Sequence, residues 1–308
     1  MRLGQRYHLV GIGGSGMSGL ASILLAQGRD VSGSDLKWSP ETDNLRERGA
    51  AVRVGHDASD VTRDLDGVIV SSAIPADNAE VVAARALGVP VVRRLHAVAA
   101  VLDEYSSIGV AGSHGKSTTT AMVATLLREL GFRPSYLIGA HCPNLGGNAH
   151  LDRGDWFVAE VDESDGLFTE IRPTIAVLTN VGRDHLQTYR SEEAIRDAFR
   201  GYVQGAERVV LSIDDPHVRA IAAETEDALT VGLSSDATLR ARDVCHEKHQ
   251  TSFELVFRGE SLGRRTIPAP GAHNVRNALC ALGACIAAGA APGAGQGPTA
   301  ALGACQHQ

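Results

Sequence analysis

The residues best placed to do chemistry are Gly112-Ser113-His114-Gly115-Lys116-Ser117-Thr118, which follow the apolar run Ile108–Ala111 and open a helical pattern. In that setting glycines let backbone N–H groups close round phosphates, a lysine meets β/γ charge, a serine hydroxyl can ligate Mg2+, and the helix dipole favours the anion. The loop is shorter than the usual GxxxxGK[ST], because Val110 stands where the outer glycine would be. The competing reading is a plain glycine turn before a capped helix. Lysine is scarce here, with only Lys37, Lys116 and Lys248 against 26 arginines, so a lysine in this position adds weight to the phosphate reading.

A second glycine run, Gly11-Ile12-Gly13-Gly14-Ser15-Gly16, follows the first apolar stretch, and Asp35 comes 19 residues after Gly16. A tight turn, close phosphate approach and an acidic group for a ribose are features of a nucleotide-binding βαβ unit, and the same geometry suits a nicotinamide cofactor or the pyrophosphate of UDP. A purely structural turn is the alternative. The acidic run Glu160-Val161-Asp162-Glu163-Ser164-Asp165 begins where a strand pattern ends. There a carboxylate could hold Mg2+ through oxygen, Glu160 being the favoured one, while Asp162, Glu163 and Asp165 read equally well as a solvated turn. Thr179-Asn180 with Asp184-His185 lies at another strand end, where a histidine oriented by a carboxylate could bind a second Mg2+ or orient a substrate carboxylate, although the pair alone reads better as a surface hydrogen-bonded histidine. Last, His273, Asn274 and Asn277 open a late helix and could reach a base or ribose, against simple helix capping by Asn274.

These residues need a scaffold, and the apolar pattern supplies one. Strand-length runs at Tyr7–Ile12, Asp30–Gly33, Ala51–Val54, Val68–Ser71 and Val89–Val92, with a helix over about 16–27, predict a βαβ series and a parallel, doubly wound sheet. A helix over Arg94–Glu104 leads out of it, and the boundary falls at Tyr105–Ser107, giving domains 1–105 and 106–308. The second series runs from Ile108–Ala111 through a helix over Lys116–Leu130, strands at Tyr136–Gly139, Trp156–Glu160 and Ile175–Thr179, and a helix over Glu192–Phe199. Thr238–Cys245 and Ser252–Phe257 alternate like antiparallel strands, and Ala272–Ala288 reads as a helix of small residues. Residues 291–308, rich in Ala, Gly, Pro and Gln, are expected to be poorly ordered.

With 308 residues, 44% of them hydrophobic, the chain can bury two α/β cores. A formal charge of −7 without a Lys/Arg cluster argues against nucleic acid as partner and for small molecules. Cys142, Cys245, Cys280, Cys285 and Cys305 show no CxxC spacing and an odd count, so neither zinc nor a disulfide framework is expected and a reducing cytoplasm fits. No apolar run approaches the roughly 20 residues of a membrane span.

Taken in order, GSHGKST, EVDESDG, the TNxxxDH run and Pro270-Gly-Ala-His-Asn with Asn277 resemble the motifs of the Mur ligase superfamily. GIGGSGMSGLA, Ser34-Asp35-Leu36, the Ser71–Asn78 run, Arg93-Arg94 and Gly154–Glu160 are most similar to the branch that joins L-alanine to UDP-N-acetylmuramate in peptidoglycan precursor synthesis. The resemblance covers about residues 7–290. It implies a Rossmann-like UDP-sugar domain followed by a P-loop-type ATP domain, and a reaction in which ATP phosphorylates the lactyl carboxylate before the amine of L-alanine displaces phosphate. It further implies that Lys116 neutralises phosphates, Ser117 and Glu160 hold one Mg2+ and His185 a second. Gly112–Thr118 with His273, Asn274 and Asn277 would face ATP, while Gly11, Gly13, Gly14, Ser15, Gly16, Asp35, Ser71 and Asn180 would face the UDP-sugar. Some members carry a carbamylated lysine about where Arg200 stands, so no carbamate is expected. Family members also carry a third domain, which this sequence is expected to lack, leaving turnover impaired or the chain a non-catalytic UDP-sugar-binding module. A tripeptide-recycling ligase is another reading, disfavoured by Ser164, and a nicotinamide dehydrogenase a third.

Overall fold

The computed structural model describes residues 3–163, 166–182, 189 and 191–294. The expected disorder beyond 294, and Asp165, Asp184, His185 and Cys305, lie outside the described residues. Those up to Glu104, together with Asn148–Leu151, make one compact unit, and those of Tyr105–Gly147 and from Asp152 onward make another. The excursion of 148–151 into the first unit was not foreseen from sequence.

The first unit is β1 (Arg6–Val10), α1 (Ser15–Ala26), β2 (Asp30–Asp35), α2 (Pro40–Glu47), β3 (Ala51–Val54), β4 (Gly67–Val70), α3 (Ala79–Leu87), β5 (Val91–Arg93) and α4 (Arg94–Leu102). Its five strands lie in the order β3-β2-β1-β4-β5, all parallel. Leu9, Val68 and Ile69 are fully buried, as strands covered on both faces must be. The short helices α2 and α3 escaped the sequence reading. Each announces itself by a cap: Ser39 accepts from Thr42 N–H ahead of Pro40, and Asn78 from the N–H groups of Glu80 and Val81.

The second unit contains β6 (Ser106–Ala111), α5 (Lys116–Glu129), β7 (Ser135–Leu137), β9 (Trp156–Glu160), β10 (Ile175–Leu178), α6 (Glu192–Gln204), β11 (Arg208–Ser212), α7 (Pro216–Ala223), β12 (Leu229–Gly232), β13 (Leu239–His246), β14 (Thr251–Phe257), β15 (Glu260–Ile267) and α8 (Ala272–Ala287). The short strand β8 (Ala149–His150) belongs to the excursion. Strands run in the order β15-β14-β13-β12-β11-β10-β6-β9-β7. Pairing is parallel from β7 to β13 and antiparallel across β13, β14 and β15. From β6 the chain proceeds to β9 on one side and to β10 on the other, so the loop after β6 sits at a topological switch point, where open α/β sheets bind ligands. Ile108, Val110, Val158, Ile175, Val177 and Val210 fill the sheet's core, and α5 packs beside α8 over it. Small residues let α8 come close, since a Cβ on Gly283 would lie 2.8 Å from Val210 Cγ1. Among the described residues no helix is long and apolar enough to cross a membrane.

Candidate active site

The loop Gly112–Gly115 links β6 to α5 and is held from three directions. Gly112 has φ +135°, and a Cβ there would collide with Thr179 Oγ1 and come 2.9 Å from Asn180 O. Gly115 has φ +81°, and its added Cβ would meet Asn277 Oδ1 at 2.5 Å. Glycine is therefore required twice, by conformation and by space. From the end of β10, Thr179 Oγ1 donates to His114 O (2.8 Å), Asn180 Nδ2 donates to the same oxygen (2.8 Å), and His114 N–H donates to Asn180 Oδ1 (2.9 Å). Ser113 Oγ accepts from Gly182 N–H at 2.7 Å, and Ser113 N–H donates to Asn180 O. Lys116 Nζ folds back, donating to Gly112 O (2.8 Å) and Ser113 O (3.3 Å) and pairing with the Glu163 carboxylate (2.9 Å). Ser117 and Thr118 begin α5 and are buried.

Glu160, last residue of β9, is paired in register with Val110 of β6, which brings its carboxylate to the loop's end of the sheet. Its Oε2 accepts from Gly139 N–H at 2.8 Å. The adjoining acidic run is not a uniformly solvated turn, because Glu163 is only 2% exposed. Glu163 and Gly139 are thus parts of the site that sequence reasoning left open or missed. Among the described residues no group of three or more His, Cys, Asp or Glu side chains is arranged to hold a metal.

A cavity of about 460 Å³ opens beside the loop, lined by His114, Gly115, Thr179, Asn180, the Ser212–Pro216 turn, His273, Arg276, Asn277 and Cys280. That volume lies in the range of small-ligand sites. His273 and Asn277 are both in its lining. Asn274 does not line it: its Nδ2 donates to Pro270 O (2.8 Å), tying the turn before α8, while the helix N-cap is Gly271 without a side-chain cap bond. One wall was not anticipated. Asp214 accepts from the N–H groups of Leu233 and Ser234 and pairs with Arg276 Nε at 2.8 Å, fixing the guanidinium at the cavity. Burial pushes the Cys280 thiol up to about 12, which keeps it inert. Arg200 is spent on ion pairs with Glu224 and Asp197.

In the first unit the glycine turn follows β1, and Gly11 and Ile12 donate N–H to Ser34 O. Asp35 turns inward, its Oδ2 accepting from Gly13 N–H at 2.9 Å. Gly14 precedes α1, whose first residue, Ser15, offers its carbonyl to Asn148 Nδ2 at 2.7 Å. Arg94 lies against Gly16, where a Cβ would be 3.0 Å from its Nη1. Ser71 follows β4, the strand beside β1. These residues share the carboxyl ends of β1, β2 and β4. Asn180 belongs to the second unit, where it is bonded to the loop Gly112–Gly115.

Residues 6–106 match the description "Mur ligase family, catalytic domain" and residues 110–285 match "Mur ligase middle domain". A UDP-N-acetylmuramate--L-alanine ligase of Pelobacter propionicus is 44% identical over 92% of this chain and 62% of its own length. The crystal structure of the UDP-N-acetylmuramate-alanine ligase of Thermotoga maritima is similar with a TM-score of 0.84 at 32% identity, over 94% of this chain and 67% of that one. A UDP-N-acetylmuramate:L-alanyl-gamma-D-glutamyl-meso-diaminopimelate ligase structure from Neisseria meningitides gives a TM-score of 0.85 at 28% identity, over 99% of each chain. The chain therefore spans about three fifths of the curated relative's length. With both domain descriptions matched in order and the glycine loop Gly112–Gly115 held between β6, β10 and α8, the chain belongs to the Mur ligase family.

Proposed function

We propose that the chain carries the sugar-nucleotide and ATP sites of a ligase that joins L-alanine to the lactyl carboxylate of UDP-N-acetylmuramate. The supporting observation is the preformed loop Gly112–Ser117, braced by Thr179 and Asn180 and opening on the cavity lined by His273, Arg276 and Asn277. In this reading Lys116 and the N–H groups that open α5 take the phosphates, the Ser113 and His114 N–H groups being already bonded to Asn180, and the cavity takes the nucleoside. The turn Gly11–Gly16 with Asp35, Ser71 and the cation of Arg94 takes the UDP-sugar. ATP transfers its γ-phosphoryl group to the carboxylate, and the alanine amine then attacks the acyl carbon and expels phosphate. Positioning and charge neutralisation carry such a transfer, with little covalent work for the protein.

The donor set fits Mg2+: the Ser117 hydroxyl and the Glu160 carboxylate are hard oxygen ligands, and Glu160 is already oriented by Gly139 N–H. His185 is assigned to a second ion. The metal would supply neutralisation of the phosphate charge. On this reading the protein works in a bacterial cytoplasm, where UDP-N-acetylmuramate and ATP would both be at hand.

The Neisseria likeness gives a specific reason to test a peptide acceptor, although the 44% relative favours L-alanine. Calorimetric titration of UDP-N-acetylmuramate and of ATP into the 308-residue chain, with phosphate release measured with and without L-alanine or the tripeptide, decides among these. Binding of both ligands with alanine-dependent release supports the assignment; tripeptide-dependent release moves it to the recycling reaction; absence of UDP-sugar and ATP binding removes it. Lys116→Ala should abolish ATP binding and leave UDP-sugar affinity intact.

A further inference from the structure

We infer that Glu163 is a positioning residue that parks Lys116 on its own loop until a phosphate chain takes the lysine from it. The inference rests on the nucleotide reading of that loop. A lysine ammonium has three N–H donors. Here Nζ lies 2.8 Å from Gly112 O, 3.3 Å from Ser113 O, and 3.0 and 2.9 Å from Oε1 and Oε2 of Glu163. The donors are thus committed before any ligand arrives. Two partners are neutral carbonyls of the loop itself, and the third is a full negative charge from another segment. With side-chain exposures of 14% for Lys116 and 3% for Glu163, solvent screens the pair weakly.

Glu163 is itself braced. Its carbonyl accepts from the Tyr189 hydroxyl at 2.5 Å, and the Tyr189 ring meets Phe168 edge-on with centroids 6.5 Å apart. Phe168 in turn packs against Phe199 and Tyr202. The carboxylate therefore stands on a supported backbone, fixed relative to β6 and β9, rather than on a segment that follows the lysine wherever it goes.

The consequence is an exchange. A nucleotide that reaches Lys116 must replace one anionic partner by another, so the carboxylate lowers affinity for every ligand that needs the lysine. A ligand too short to reach it pays nothing. Glu163 accordingly weakens binding of di- and triphosphates selectively, and its loss should tighten them while leaving a monophosphate unchanged.

The test compares the 308-residue wild-type chain with Glu163→Gln, which keeps size and removes charge, and with Glu163→Ala. ATP, ADP and AMP are titrated with a metal chelator present. In parallel, acetylation of the three lysines by an N-hydroxysuccinimide ester is followed by mass spectrometry, exposed Lys37 and Lys248 serving as internal references. Both variants should bind ATP and ADP roughly fivefold tighter, the scale of a part-buried ion pair lost from the free state, with AMP unchanged. Lys116 should be acetylated several-fold faster relative to the references. Unchanged or weaker ATP affinity in both variants, an equal gain for AMP, or an unchanged Lys116 acetylation rate overturns the inference. If wild-type and Lys116→Ala chains alike fail to bind ATP, it is the nucleotide reading that falls, and the acetylation rate still decides whether Glu163 parks the lysine.

Discussion

Replacing Asn180 by alanine separates a residue that shapes the phosphate loop from one that touches the sugar nucleotide, the role its family resemblance suggested. Its amide makes three bonds: Oδ1 accepts from His114 N–H at 2.9 Å, and Nδ2 donates to His114 O at 2.8 Å and to Thr179 Oγ1 at 3.2 Å. Each such bond contributes about 0.5–1.5 kcal/mol net, and Asn180 is half-buried, so water recovers part of the loss; about 1–2 kcal/mol remains. Spread over the whole unit this lowers its melting temperature by roughly 2–8 °C. If the same free energy is withdrawn from the loop's prepared shape, ATP binds about 5–30-fold more weakly. Affinity for UDP-N-acetylmuramate should stay within about twofold, since nothing in the first unit is altered. Asn180→Asp should be worse than alanine for ATP, because a carboxylate cannot donate to His114 O and adds negative charge beside the phosphate site. Calorimetry with both ligands and a thermal melt suffice. A loss of UDP-sugar affinity with ATP binding intact would refute the loop-bracing role and return Asn180 to the substrate.

Gly139→Ala places a Cβ within 2.8 Å of Glu160 Oε2 and 2.9 Å of Oε1; the carboxylate must swing, and the Mg2+ concentration supporting ATP binding should rise about tenfold, read by metal titration. Glu80 is fully buried in the first unit; burial raises its carboxyl pKa, but bonds from His8 and Ser34 and the charges of His8 and His56 outweigh this and hold it below the usual range. A folded pKa below the unfolded one contributes stability that is present above the unfolded value and lost as pH falls through the folded value. Glu80→Gln should therefore flatten the acid side of a denaturant-stability profile below about pH 5 and lower the neutral plateau by about 1–3 kcal/mol. Burial raises the thiols of Cys280 and Cys285 to about 12, while Cys245 is exposed, so iodoacetamide at about pH 8 should modify Cys245 and spare the other two in the folded chain, as peptide mapping would report.

What could be read from sequence was what local chemistry dictates. The β6–loop–α5 unit was legible because a strand buried on both faces reads as an unbroken apolar run, and because Gly112, Gly115 and Lys116 are types that the loop demands. The stretch β11–α7–β12 passed unread. Leu229 and Thr230 are only half-buried, and α7 sinks just Val218 and Ile221, so neither period is clean. Its plain signals were the short apolar run Val209–Leu211 of β11 and the Asp215-Pro216 cap, where Asp215 accepts from the N–H groups of His217 and Val218. Glu163 and Asp214 were illegible for another reason. Each stands next to another acid, Asp162 or Asp215, and what singles it out is a partner far along the chain, Lys116 for one and Arg276 for the other. Periodicity carries no information about such pairs. The departure of Asn274 follows the same logic in reverse, since its amide satisfies a local carbonyl, Pro270 O, that a spacing argument does not see.

The two glycine turns occupy equivalent places, each after a strand at which the sheet order reverses, yet they meet anions differently. In the second unit the loop's own charge is a cation, and Glu163 neutralises it until a phosphate arrives. In the first unit the charge at the turn is the Asp35 carboxylate, which already uses the Gly13 N–H. A backbone donor committed to a carboxylate is unavailable to a pyrophosphate, and a fixed negative charge beside the turn opposes one. Favourable charge for the sugar nucleotide must then come from a side chain, and Arg94 at Gly16 is placed to supply it. On the proposed function, the second unit would meet phosphate through the N–H groups that open α5 and a releasable Lys116, the first through Arg94 beside Gly16. On the same proposal, a glycine-rich turn that looks like a dinucleotide fingerprint would hold a ligand whose pyrophosphate stays unchanged, while the loop that exchanges nucleotides would be the one whose cation has an internal partner, Glu163, to return to.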